Sequence, residues 1–426
     1  MKNLISLFTV LLFILSGCLW FSTDTYADET KSSDSETTAS ETVPETQASP
    51  VILPTDKVST DDIILYSSAA CVIDVDSGEI LYYKNMDDRH YPASITKVLT
   101  GLLLIENANL DDTITFSQDC WNGLNYYNDM NIGILNGEQL TVNDALHAIL
   151  MSSANEVCNG AAKFVSGSVS AFCDLMNDTA QEIGAVNTHF ANPDGFHDDN
   201  HYTTAMDMAL ISRYALTFPN IRLTVSKPAA SDLLVSGEAA PAWQNSNSLI
   251  KVSSSFYYPY ANGLKTGFTS GAGYCLSASA MRDGMELIAV VMGAETSQSR
   301  NAACKSLLDY GFANFAVVSP DLSDCDNQIP VRLGKDAGVS AVPEADMALL
   351  IDKAQKSGVT SEVTLEPTVT APVSRGQRLG TLTVKSGDLV LKEVPLVAAQ
   401  EVERLSYGEI YRMVLMRAAM AKADAP

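Results

Sequence analysis

The chain has 426 residues, 46% of them apolar, and a formal net charge of −24. That length leaves room for about two or three domains, and the apolar fraction supplies a sizeable core. Such acidity excludes the basic face that a nucleic-acid partner needs. The eight cysteines include no Cys-x-x-Cys, and the five histidines show no His-Glu-x-x-His, so the pattern gives no metal site. Spacing cannot pair the cysteines; buried free thiols are expected for most.

Met1 to Ala27 reads as an export signal, with Lys2 as its positive start and Leu4 to Leu15 as its apolar run. Thr25-Tyr26-Ala27 is the expected cleavage site. Leu15-Ser16-Gly17-Cys18 stands as an alternative, resembling the bacterial lipoprotein motif with Cys18 lipidated. Residues 28–58 are rich in Ser, Thr and Glu and poor in aromatics, the composition of a disordered acidic linker.

A first folded unit is expected over residues 59–319. Ala69–Val75 and Glu79–Tyr83 read as a hairpin around Asp76-Ser77-Gly78. A helix beginning in Tyr91–Thr100 and continuing through Ile105 is apolar almost all round, the mark of a buried helix. Helical stretches follow at Val142–Met151, from Asn155 to Phe164, and at Ser168–Ile183. Thr204-Ala205-Met206-Asp207 reads as a capping box opening a helix to Leu216. Ala261–Thr269 precedes a strand at Gly273–Ala280, and Met285–Met292 is a further, central strand. Asn301–Phe312 closes the unit as a helix. The fold class is therefore α/β (α+β): an antiparallel sheet drawn from both ends of the unit, covered by helices, with a helical lobe between. Residues 320–396 alternate, as at Val359–Leu365 and Leu379–Val384, and predict a small β-sandwich domain without catalytic residues. Residues 397–426 carry an amphipathic helix, from about Val402 to Met420, with Arg404, Arg412, Arg417 and Lys422 as cations. That combination suits an anionic membrane surface; packing on the β domain is its alternative.

Chemistry concentrates in three short motifs in a fixed order: Ser94-Ile95-Thr96-Lys97, Ser153-Ala154-Asn155 and Lys265-Thr266-Gly267. Ser94 and Lys97 fall on one helical face, where a desolvated lysine is a base beside a nucleophile. Each motif alone is weak. Together they resemble the penicillin-binding proteins and serine β-lactamases. The text around Tyr91–Thr100, Asn192–Gly195, His201–Ala209 and Gly263–Tyr274 resembles the low-molecular-weight D-alanyl-D-alanine carboxypeptidases in particular. Ala154 departs from that pattern, where many carboxypeptidases have Gly and β-lactamases usually Asp.

The resemblance implies a peptidase that removes the last D-alanine from peptidoglycan stem peptides ending in D-Ala-D-Ala. It implies β-lactam antibiotics as acylating inhibitors, no cofactor, and work outside the cell membrane. Ser94 would be the nucleophile and Lys97, neutral beside the cation Lys265, its base. Ser153 would relay a proton and Asn155 would hold Lys97 and the substrate amide. Lys265 and Thr266, with Arg300 as a second contact, would bind the terminal carboxylate. Gly267 would let the substrate lie against the strand, and the backbone N–H groups of Ser94 and Phe268 would form the oxyanion hole. His201 and Asp207 are expected to be structural, and Trp243, Tyr257 and Tyr258 to belong to the core. A β-lactamase is the alternative enzyme, disfavoured by the extra domain and by the missing Glu-x-x-Leu-Asn segment. An inactive wall-binding homologue is the alternative outside catalysis, disfavoured by the intact motif residues.

Overall fold

The computed structural model describes residues 63–320, 327–345 and 347–423, with backbone alone from 417. The expected export signal and linker, Cys18 and Cys325 lie outside the described residues. Alternating side chains build the centre of the fold. In β1 (Ala69–Asp74), Ala69, Cys71 and Ile73 face one core while Ala70 and Val72 face another. This is the two-residue period of a strand buried on both sides. β2 (Ile80–Lys84) returns antiparallel to β1, as the hairpin reading expects.

The helical lobe follows. α1 (Lys97–Glu106) is preceded by a tight turn at Ala93–Thr96, and every residue from Lys97 to Leu104 is buried. α2 (Val142–His147) runs into a π-type turn at Ala148–Ser152, and α3 (Asn155–Ser166) begins three residues later. α4 (Val169–Glu182), α5 (Ala205–Ala215) and α6 (Pro219–Val225) complete it. The box expected at the head of α5 is only half formed. Thr204 Oγ1 accepts the Asp207 N–H at 3.0 Å, but Asp207 Oδ2 turns away to accept from the Asn187 N–H and the Thr188 hydroxyl. Short ladders at Thr113–Thr115 with Gln139–Thr141, and within residues 229–244, escaped the sequence reading because they are two or three residues long.

β3 (Ala261–Thr269), β4 (Gly273–Arg282) and β5 (Met285–Ala294) finish the sheet in the order β2-β1-β5-β4-β3, antiparallel throughout. Residues 261–269 are thus the edge strand itself, not the approach to one. Ile288, Val290 and Met292 of β5 join the core beneath the helical lobe, and Leu287, Ala289 and Val291 the core beneath α7 (Ser297–Asn314). Each of the Ile, Val, Met and Leu side chains among them contributes roughly 1.5–3 kcal/mol on burial. α7 starts earlier than expected, because Thr296 and Ser299 cap it reciprocally.

The remaining chain is β-rich. β6 (Phe315–Val318) pairs across the gap in sequence with β9 (Leu349–Asp352), after β7 (Gln328–Arg332) and β8 (Gly338–Pro343). β10 (Val359–Leu365), β11 (Val369–Thr370), β12 (Arg378–Ser386) and β13 (Leu389–Ala398) complete a six-stranded sheet in the order β10-β12-β13-β8-β7-β11. α8 (Tyr407–Ala423) begins later than the expected Val402. Val402 instead bridges Val373 and is buried in the β core, and Leu405 N–H donates to the Leu333 carbonyl. Ser406 and Glu409 then cap the helix, with Ser406 N–H and hydroxyl donating to Glu409 Oε2 and Glu409 N–H to Ser406 Oγ. Tyr407, Tyr411, Met413, Val414, Leu415 and Met416 all stay exposed.

Candidate active site

Ser94 sits in the turn that opens α1, next to Ala93, which holds a left-handed φ of 51°. Two distant segments are pressed onto this turn. A Cβ on Gly267 of β3 would come within 2.9 Å of the Pro92 carbonyl oxygen and 3.0 Å of the Ser94 nitrogen. A Cβ on Gly195 would meet the Ala93 carbonyl oxygen at 2.0 Å. The bare Cα of Gly267 therefore serves close packing of the edge strand on the Ser94 turn, a reason different from the substrate clearance expected of it.

Three acceptors converge on Lys97. Its Nζ lies 3.2 Å from Ser94 Oγ and 2.7 Å from Asn155 Oδ1, and it also donates to the Asp194 carbonyl. The second motif reaches this place because the π-type turn ends at Ser153 in the left-handed region, with φ 61° and ψ 33°. That reversal breaks the helix and starts α3 at Asn155. Ser153, Asn155 and Lys97 are all buried. Such a cage of acceptors fixes the Lys97 amine against the Ser94 hydroxyl.

The depressed lysine is Lys265. Burial, then the nearby Lys97 charge, pull it well below the usual lysine range, with Arg300 adding to the effect. Its Nζ donates to the Thr266 carbonyl at 2.9 Å. Arg300 is buried in the first turn of α7 rather than ahead of it, and among the described residues no carboxylate pairs with it. Its Nε donates to Asn301 Oδ1 at 3.3 Å, and its guanidinium lies 5.8 Å from the centre of the Tyr274 ring. Thr266 Oγ1 shares a 2.6 Å hydrogen bond with Ser246 Oγ. Phe268 is half exposed, its ring 4.3 Å from that of Tyr274.

Other residues support this centre. Ala191 N–H donates to His201 Nδ1 at 3.0 Å, so Nε2 carries the proton and donates to Thr96 Oγ1 at 2.8 Å. Burial pushes His201 down to about 3, which keeps it neutral. Asp207, tied to Asn187, Thr188 and Thr204, makes no pair with it. Trp243 and Tyr258 are buried, Tyr258 donating to Asp309 at 2.8 Å, while Tyr257 is half-buried. Sequence reading missed the Asp194 and Pro193 carbonyls, which hold Lys97 and Thr100, and the Asn247 amide, which donates to the Gly263 carbonyl at 2.8 Å. The signal for the first was the Asn192-Pro193-Asp194-Gly195 turn itself. The six described cysteines, Cys71, Cys120, Cys158, Cys173, Cys275 and Cys304, are buried free thiols, as expected.

Residues 55–296 match the family described as D-alanyl-D-alanine carboxypeptidase, and residues 322–404 match the C-terminal domain of penicillin-binding protein 5. The chain is 32% identical to D-alanyl-D-alanine carboxypeptidase DacF of Bacillus subtilis over 82% of its own length and 89% of the relative's. It is 30% identical to DacC of Escherichia coli over 81% and 87%. The solved structure of penicillin binding protein 5 from Haemophilus influenzae is 28% identical, with a TM-score of 0.63 over 80% of this chain and 99% of that one. On the family match and this shared length, the chain belongs to the D-alanyl-D-alanine carboxypeptidases, a family of serine peptidases.

Proposed function

We propose that the protein removes the terminal D-alanine from peptidoglycan stem peptides through an acyl-enzyme on Ser94, and that penicillin is trapped at the same hydroxyl. The observation that carries this reading is Lys97 Nζ held between Ser94 Oγ and Asn155 Oδ1, with the edge strand bearing Lys265 packed on the Ser94 turn. Ser94 Oγ attacks the carbonyl of the penultimate D-alanine while its proton passes to Lys97 Nζ. The Ser153 hydroxyl relays a proton to the departing nitrogen, the C–N bond breaks, and water later hydrolyses the ester. Backbone N–H groups of Ser94 and Phe268 receive the developing oxyanion, each such donor being worth about 3 kcal/mol.

Lys97 can take that proton only as a neutral amine. A substrate carboxylate seated beside Lys265, Thr266 and Arg300 would favour the ammonium form of Lys265, whose proton affinity burial depresses in the free site. Lys265 and Arg300, both buried and with no carboxylate partner among the described residues, suit a ligand with a free C-terminus. The test is direct. Protein starting at Asp28, given a D-Ala-D-Ala peptide and separately a penicillin, should release D-alanine and hold a long-lived penicillin adduct. Rapid penicillin turnover without D-alanine release would instead support a β-lactamase, and silence in both an inactive homologue.

Proton linkage gives a second expected result. Lys265 is depressed in the free site and is favoured as ammonium by a bound carboxylate, so binding takes up a proton at pH values above its depressed pKa. Affinity for a D-Ala-D-Ala peptide should therefore fall as pH rises through that window. Calorimetry on the inert Ser94→Ala variant, in buffers of different ionisation enthalpy, reads both the affinity and the proton. Binding that is constant with pH and exchanges no proton would refute the linkage.

The exposed Tyr407, Tyr411, Met413, Val414, Leu415 and Met416 of α8 support an exported enzyme resting on the outer face of the membrane. No helix of the described residues is long and apolar enough to cross a membrane. Because Val402 belongs to the β core, the informative truncation ends at Leu405. It should hydrolyse small peptides normally and leave the membrane fraction; retention there, in a Cys18→Ala background that blocks lipidation, would remove α8 as the anchor.

A further inference from the structure

Glu156 follows the second motif, is fully buried, and takes no part in the chemistry above. Its Oε1 accepts the N–H groups of Ile132 at 2.8 Å and Gly133 at 3.2 Å. Its Oε2 is buried without a hydrogen-bond partner among the described residues. Burial also raises its proton affinity, opposed in part by the backbone N–H groups around it, Ile132 first. Placing a carboxyl there is costly, and an apolar side chain would avoid the desolvation. What the carboxyl does with its position is grip one segment.

That segment is gripped from the other side too. The Met130 carbonyl accepts the Asn155 N–H at 2.9 Å. Asn155 is the first residue of α3, and such an N–H has no partner inside its own helix. Trp121 fastens the same stretch, its Nε1 donating to the Ile134 carbonyl at 2.9 Å. Residues 130–134 thus cap the helix that carries Asn155, while the next residue of that helix holds them in place. Asn155 Oδ1 lies 2.7 Å from Lys97 Nζ at the far end of this chain of contacts.

We propose that Glu156 is a positioning residue for acyl transfer: by gripping Ile132 and Gly133 it keeps the Met130 carbonyl on Asn155, and so fixes Asn155 Oδ1 against Lys97. The proposal rests on the roles given above to Asn155 and Lys97. Three variants separate reach from charge. Glu156→Asp keeps the carboxyl group but withdraws its oxygens by one carbon–carbon bond, about 1.5 Å. Glu156→Gln keeps the reach and an acceptor, and Glu156→Ala keeps neither.

A misplacement of about 1 Å at a reacting group costs on the order of 10²-fold in rate. The Asp and Ala variants should lose about that in kcat, with KM moving less than about threefold, while Gln stays within about threefold of the parent. Amide exchange at Ile132 and Gly133 should quicken in the variants that lose kcat. A folded Asp variant with parental kcat, or a Gln variant as slow as Asp, would overturn the proposal. So would a lowered Tm with kcat untouched. Should Glu156→Ala fail to fold, the Asp and Gln pair decides alone. Ser94→Ala serves as the separate control: D-alanine release by that variant sinks the reading of the site itself, whereas an inert Ser94→Ala beside a fully active Glu156→Asp sinks only the positioning role.

Discussion

Ser94→Ala should release no measurable D-alanine and take up no penicillin mass, a loss on the order of 10⁴- to 10⁶-fold in kcat. The size follows from what the site holds ready. Lys97 Nζ is placed 3.2 Å from Ser94 Oγ, and deleting the hydroxyl leaves the proposed base with nothing to deprotonate. Carboxylate-binding residues and backbone donors would survive, so the variant should still bind a D-Ala-D-Ala peptide. Binding without turnover separates a lost nucleophile from a collapsed cleft. Ser94 has no role in the core, since its side chain is partly exposed at the head of a buried helix, and the fold should persist. Circular dichroism and Tm check that. Undiminished D-alanine release, or a retained penicillin adduct, would show that another group is acylated.

Much of this arrangement was legible before any coordinates. Apolar residues on every side of the segment after Ser94 announce a buried helix, and Leu99, Leu102 and Leu103 are indeed inaccessible. The order of the three motifs announces the chemistry. What stayed hidden has a common physical cause. The groups that hold Lys97 and Asn155 include the carbonyls of Asp194 and Met130, and a carbonyl is the same in every residue. Sequence also cannot say what the fold gathers around each of the two buried lysines. Lys97 receives three acceptors, from Ser94, Asn155 and Asp194, while burial and the nearby Lys97 charge depress Lys265. The start of α8 was misplaced for a different reason. Val402 and Leu405 match a helical period, but a strand partner at Val373 claims the first, and the Ser406 to Glu409 cap, readable in the sequence, marks the true start.

Gly195→Ala should be severely damaging for a single added methyl. Gly195 has φ +80°, a left-handed value that costs a side chain about 1–2 kcal/mol. Its added Cβ would lie 2.0 Å from the Ala93 carbonyl oxygen and 3.0 Å from the Ser94 nitrogen. Both are backbone atoms, so no rotamer change relieves the clash, and overpacking of this kind adds about 1–3 kcal/mol. Ala93 cannot yield easily, since it is already held at φ 51° and is buried. Either the Asn192–Gly195 turn retreats and carries the Asp194 carbonyl away from Lys97, or Ser94 moves. Both routes separate Ser94 Oγ from Lys97 Nζ, with an expected fall of about 10²-fold in acylation by penicillin under the proposed roles of the two. Gly237→Ala supplies the comparison, because Gly237 has φ +83° with nothing within 4 Å of its Cβ position. It should show the conformational strain alone and keep full acylation. If Gly195→Ala matches Gly237→Ala in both Tm and acylation rate, the turn around Ser94 is not held from that side, and its geometry must be set by β3 and α1 alone.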